Sequence, residues 1–207
     1  MVSSSLLVIF IPTFFFVSAM PGMCMILSMT LGMTVGFCRS LWMMVGELVG
    51  VGLVAILSVL GVAAVMLNYP QAFLVFKWIG GAYLFYLGIQ MWLSRGKIAI
   101  PLAGEESRRT NIKELMVQGF VTAVINPKGW AFFISLLPPF IEGDQALIPQ
   151  LTILIVLILL IEFMCLMMYA AGGRTLRLFL QKSRNVRVVN RIAGSLIMGV
   201  GVWMVVG

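Results

Sequence analysis

Histidine is absent from the 207-residue chain, cysteine occurs three times, and charged residues make up only 10% of it. Without histidine, metal and haem chemistry lose their usual ligand, and a proton relay has only carboxyls to work with. Cys24, Cys38 and Cys165 form no C-x-x-C and lie in or beside apolar segments, the pattern of packing thiols. No nucleophile with a base, no paired catalytic carboxylates in a soluble pocket and no Gly-rich phosphate loop is present. Enzymatic activity, ATP hydrolysis, a bound metal and a cofactor are therefore not expected. Lys and Arg are also missing before Arg39. The first apolar run thus lacks the positive flank of a signal peptide, despite the small residues Val17-Ser18-Ala19.

What the chain does have is apolar length. Hydrophobic residues make up 61% of it and the mean hydropathy is +1.09. A bilayer core of about 30 Å needs about 20 apolar residues per helix, and six stretches qualify: 6–29, 41–67, 73–93, 115–137, 148–171 and 189–206. The run 151–160 is apolar at almost every position, which excludes the alternation of a membrane β-barrel. The expectation is an all-α integral membrane protein in one domain, with no residue stretch left for a separate soluble one.

The net charge of +7 is unevenly placed. Basic residues fall at Arg39, in the segment from Arg95 to Lys113, and from Arg174 to Arg191, whereas Glu142 and Asp144 occupy an opposite loop. The positive-inside rule makes the basic loops cytoplasmic and puts both termini outside. The same loops suit anionic lipid headgroups rather than nucleic acid. Trp42, Trp92 and Tyr169 near the inner face, and Tyr69 and Trp203 near the outer one, read as interfacial anchors. Gly32-x-x-x-Gly36 and Gly46-x-x-x-Gly50 read as helix-packing steps.

Cut between its third and fourth spans, the chain gives repeat 1 (about 1–94), a cytoplasmic loop (95–113) and repeat 2 (about 114–207). Three spans per half require opposite orientations. Proline breaks the first span of each half, at Pro21-Gly22 and Asn126-Pro127. Two inverted three-helix repeats with broken first helices is a plan of secondary transporters, the breaks meeting near the midplane. Broken helices expose N–H groups and carbonyls; here the freed carbonyls of Val17 and Ala123 suit an ammonium group or a water, and residues after the prolines suit a carboxylate. A zwitterionic amino acid matches both.

Ionisable residues within the spans are Glu47, Lys77, Lys128 and Glu162. Lys77 is close enough to an outer end to snorkel. Glu47 lies near the inner end of span 2. Lys128 and Glu162 fall near mid-depth, within roughly 6 Å vertically at 1.5 Å per residue, and are expected to form a buried ion pair. Protonating Glu162 would release Lys128, so Glu162, or else Glu47, is the candidate for coupling to protons.

Pro21-Gly22, the segment Phe76-Lys77-Trp78-Ile79-Gly80-Gly81-Ala82-Tyr83-Leu84-Phe85-Tyr86-Leu87-Gly88, Asn126-Pro127-Lys128 with Phe132-Phe133, Glu162 and Gly194-Ser195-Leu196 occur here in an order and spacing that resemble the LysE/RhtB family of bacterial amino-acid exporters. The resemblance implies a six-span exporter of the bacterial inner membrane, driven by the proton motive force and homodimeric. The chain departs from the family pattern at Met23-Cys24, where Pro and often Asn are common, at Glu47, usually apolar in relatives, and at Val51, often acidic. Met23, Cys24 and Met25 point to an apolar or larger substrate. The expected site comprises Pro21, Gly22, Met23, Glu47, Asn126, Pro127, Lys128 and Glu162. Its partners would be a small amino acid or derivative, protons and lipid. A membrane thiol oxidoreductase and efflux of a metal or an oxyanion are the alternatives.

Overall fold

Proline or glycine marks several helix ends in otherwise uninterrupted apolar runs, at Pro21-Gly22, Gly36, Pro70, Pro127 and Pro138. The computed structural model describes residues 4–68, 70–94, 111–141 and 145–206. In chain order it holds α1 (Ser4–Ala19), α2 (Met23–Thr34), α3 (Phe37–Asn68), α4 (Pro70–Leu93), α5 (Ile112–Ile125), α6 (Pro127–Leu136), a 3-10 turn (Pro138–Phe140), α7 (Leu147–Gln181) and α8 (Ser183–Val206). No strand occurs among the described residues.

Three helices are individually long and apolar enough to cross a membrane: Phe37–Gly61, Leu147–Gly173 and Ser183–Trp203. The first, of 25 residues, spans about 37 Å at 1.5 Å per residue. Two bent helix pairs also qualify by length and composition if each is taken as one span, α1 with α2 at 58° and α5 with α6 at 54°. These are the two first spans that proline was expected to break, and α4 covers the remaining apolar stretch. Tyr69, the loop 95–110, Glu142 and Asp144 lie outside the described residues, as do the side chains of Lys77, Arg174 and Arg177.

Packing follows three helix pairings: α3 along α5, α7 along α1 and α2, and α4 along α8. Glycine lets the backbones touch. A Cβ on Gly46 would fall on the carbonyl oxygen of Met116, one on Gly119 on that of Met43, and one on Gly50 would come 2.8 Å from the Ala123 Cβ. Gly81 and Gly88 meet Gly201 and Gly194 in the same way between α4 and α8. Close approach of this kind gains dispersion contacts where lipid offers no hydrophobic driving force between helices.

Two expectations need correction here. Gly32 does pack, against Ala170, but Gly36 faces open space with φ +89 and serves as the left-handed turn between α2 and α3. Tyr169 is no interfacial anchor, being buried with its hydroxyl donating to the Ala19 carbonyl at 2.8 Å. Trp92 is exposed, its ring capped by the Arg191 guanidinium at 4.8 Å and its Nε1 donating to Ser195 Oγ at 2.9 Å.

An aromatic seam joins the two bent pairs. Phe10 and Phe14 of α1 stack at 5.6 Å, Phe14 meets Phe133 of α6 at 6.1 Å, and Phe10 meets Phe140 edge-on at 5.0 Å. All four rings are buried. The seam brings the break in one half of the chain against the break in the other.

Candidate functional site

Asn126 explains how an apolar span can restart in mid-course. Pro127 sits at the first position of α6, where its missing N–H is no loss, and Asn126 caps that helix by accepting from the Lys128 N–H at 3.1 Å. The Asn126 N–H closes the preceding helix on the Ala123 carbonyl at 3.3 Å, and the indole of Trp130 donates to Val124 O at 2.8 Å. The Ala123 and Val124 carbonyls at this break thus each accept one bond from within the protein, and Ala123 also lines the cavity described below.

The other break is built differently. Gly22 is the N-cap of α2 in extended conformation and supplies no side-chain cap to its first turn. At the end of α1, the Val17 carbonyl accepts from the Lys128 ammonium at 3.0 Å, and the Ala19 carbonyl takes the Tyr169 hydroxyl. The expected direct ion pair is thus replaced: among the described residues no ion pair joins Lys128 to Glu162, and the lysine bonds to the freed carbonyl instead. Val17 was expected to receive an ammonium group, and the one it receives is the protein's own.

Lys128, Glu162 and Glu47 nevertheless line one small cavity of about 60 Å³, together with Ser18, Cys24 and Asn126. Glu162 lies within electrostatic reach of both Lys128 and Glu47. Glu47, at 0% exposure, leaves both carboxyl oxygens without a hydrogen-bond partner. A buried carboxyl without a partner is costly, so this group calls for a donor or a cation beside it. The amide of Asn126 reaches across the two breaks to the Cys24 sulfur at 3.7 Å. The space accommodates a few waters and falls well short of the roughly 300 Å³ of small-molecule sites.

A second, more open cleft of about 390 Å³ adjoins the first, and both are lined by Met20, Lys128 and Phe132. The Lys128 ammonium stands 5.7 Å from the centroid of the Phe132 ring, so this pair of side chains forms the partition between the two spaces.

Of the residues singled out from sequence, Gly22, Glu47, Asn126, Lys128 and Glu162 line the small cavity, and Pro127 lines the larger cleft. Pro21 lines neither, and Met23 is exposed at 49%. Sequence reasoning missed Ser18, Phe132, Phe133 and the bracing Tyr169. Ser18 carried a signal, being a polar residue one step after the carbonyl that Pro21 frees. Cys24, Cys38 and Cys165 are free thiols, and no group of three metal-binding side chains gathers among the described residues.

The family profile described as LysE type translocator matches residues 15–207. The chain is 30% identical over 185 residues to a homoserine/homoserine lactone efflux protein of Salmonella typhimurium, covering 89% of this chain and 88% of that one. An uncharacterized membrane protein of Vibrio cholerae is 28% identical over 184 residues, with the same two coverages. A leucine efflux protein of Enterobacter is 25% identical over 193 residues, again covering 89% and 88%. No solved structure matches the chain.

Proposed function

The chain belongs to the family of LysE type translocators, and we propose that it exports an amino acid or a closely related amine across the bacterial inner membrane in exchange for protons. The observation that carries this reading is the cavity where the two bent helix pairs meet, with one lysine and two carboxyls on its wall. Relatives named as efflux proteins for homoserine, homoserine lactone and leucine support this substrate class.

Each end of a zwitterion has a counterpart. The Lys128 ammonium lies beside the uncapped first turn of α2, at 3.8 Å from where a Gly22 side chain would begin, which favours a carboxylate. Glu162 and Glu47 favour the ammonium. A carboxyl that holds either a proton or the substrate's amine, and not both, couples the two fluxes by competition. Protonation from the outside then expels the amine, and loss of that proton to the cytoplasm readies the site for the next one. One inward proton per zwitterion, at a potential of about 150 mV, supplies about 3.4 kcal/mol, which sustains roughly a 300-fold outward gradient.

The helix pairing supports the inverted-repeat plan: exchanging the two halves of the chain turns the contacts of α3 with α5 and α6 into those of α7 with α1 and α2, and returns the α4–α8 contact to itself. On this plan the basic loops face the cytoplasm and both termini face outward.

Everted membrane vesicles with a lumenal pH-sensitive dye test the reading. Adding L-homoserine, L-homoserine lactone or L-leucine should release protons from the lumen for at least one of them. The response should vanish in Glu162→Gln while the protein remains in the membrane. Undiminished proton release from Glu162→Gln would remove Glu162 from the coupling role, and silence toward all amino compounds would remove the reading altogether.

A further inference from the structure

We infer that the open cleft between α4, α6 and α8 is a second binding site, an inner vestibule that takes up the amine-bearing substrate from the cytoplasm before it passes Lys128 and Phe132. This inference rests on the transport reading above. Three observations carry it.

The first is size and continuity. The cleft holds about 390 Å³, within the roughly 300–1,000 Å³ of small-molecule sites, whereas the cavity behind it is far too small for an amino acid in this conformation. The two share a wall made of Lys128, Phe132 and Met20, so movement of that wall joins them.

The second is an orphaned polar atom. Asn190 of α8 lines the cleft at 8% exposure; its Nδ2 donates to Ser94 Oγ at 3.1 Å, but its Oδ1 has no partner. A buried amide oxygen left without a donor costs about 1–3 kcal/mol; this one is closed off from the cleft, and a small turn of the Asn190 side chain would present it to an ammonium or a water there. With Nδ2 held by Ser94, the oxygen is the half of the amide left to meet a donor such as an amine.

The third is placement. Gln90, Met91 and Ser94 of the cleft lie in the last turn of α4 or just past it, next to the basic segment that begins at Arg95, while Lys128 and Phe132 stand at the helix break. The cleft thus runs from the face read as cytoplasmic to the point where the two halves meet. Its walls, Leu87, Met91 and Phe132 on one hand and Gln90, Ser94 and Asn190 on the other, suit an amphiphile with an amine at one end.

The test uses a full-length variant with its three native cysteines replaced and Gln90→Cys, a rim position, introduced. In everted vesicles, whose cytoplasmic face is exposed, a membrane-impermeant maleimide should label this cysteine. Saturating amounts of whichever of L-homoserine, L-homoserine lactone or L-leucine is transported should slow labelling about fivefold or more, also when Glu162→Gln is present. In an otherwise native chain, Asn190→Leu should raise the half-saturating concentration about tenfold and leave the maximal rate within a factor of two. If that variant does not fold, labelling protection still decides the matter. Labelling that a transported substrate leaves unchanged, or labelling confined to right-side-out vesicles, overturns the vestibule and spares the transport reading. Absence of transport and of protection with every amino compound overturns both.

Discussion

Replacing Lys128 by methionine removes the ammonium and keeps most of the apolar stem. The Val17 carbonyl loses a charge-assisted bond of 3.0 Å, and Glu162 and Glu47 lose the cation that shares their cavity. A hydrogen bond to a charged group contributes about 1.5–3 kcal/mol, and stripping a buried carboxylate of its compensating charge costs about 3–5 kcal/mol. Part of the second effect is relieved by proton uptake and by water in the cavity, which leaves a net loss of about 3 kcal/mol. For a chain of this size each kcal/mol lowers the melting temperature by about 2–4 °C, so Lys128→Met should melt roughly 6–12 °C lower. The decisive comparison adds Glu162→Gln. If lysine and carboxylate act on each other through the cavity, the double variant should recover at least about 1 kcal/mol of what the lysine variant loses, a non-additivity typical of neighbours in one network. Thermal unfolding of purified protein in detergent, followed by size-exclusion chromatography, reads all four members of the cycle. Additive losses within about 0.5 kcal/mol would refute the electrostatic link and leave Lys128 as a bracket for the α1 carbonyl alone.

Other substitutions probe the scaffold. Gly46→Ala would drive a methyl group into the Met116 carbonyl and should cost about 1–3 kcal/mol by forcing α3 from α5, whereas Gly199→Ala, which meets nothing within 4 Å, should leave the melting temperature near wild type. Asn126→Ala removes the cap of α6 and should cost about 1 kcal/mol, with Asn126→Asp recovering most of it, both read as melting temperatures at neutral pH. Tyr169→Phe loses only its bond to Ala19 and should cost about 0.5–1.5 kcal/mol in the same assay. Replacing Cys24, Cys38 and Cys165 together should preserve substrate-dependent proton release; loss of that response on removing the thiols would revive a redox function.

The helices and their interruptions are legible in the sequence because each depends on local chemistry. Long apolar runs specify spans, Pro127 forbids a continuous helix, and Asn126 beside it offers the cap that restarts one. The partners of the interrupted helices are not legible in this way. Mid-depth counting put Lys128 level with Glu162, yet a few ångströms of lateral placement decide between a carboxylate and the Val17 carbonyl, and those are set by the aromatic seam of Phe10, Phe14, Phe133 and Phe140. Tyr169 has the composition of an interfacial anchor, and only the fold of α7 against α1 turns its hydroxyl inward. Gly36 matches a packing motif by spacing but ends a helix by conformation. Glu47, one turn and more from an interface by count, is fully enclosed because Gly46 and Gly119 let α5 press against that stretch of α3.

In the proposed exchange, a carboxyl between the two helix breaks trades a proton for the substrate's amine. Proteoliposomes loaded with labelled substrate test it most directly, by comparing efflux with and without an imposed pH gradient, protons running opposite to the substrate. Wild type should speed up severalfold under the gradient, while Glu162→Gln should exchange labelled for unlabelled substrate at a rate that ignores it. A gradient response of undiminished size in Glu162→Gln would contradict the account.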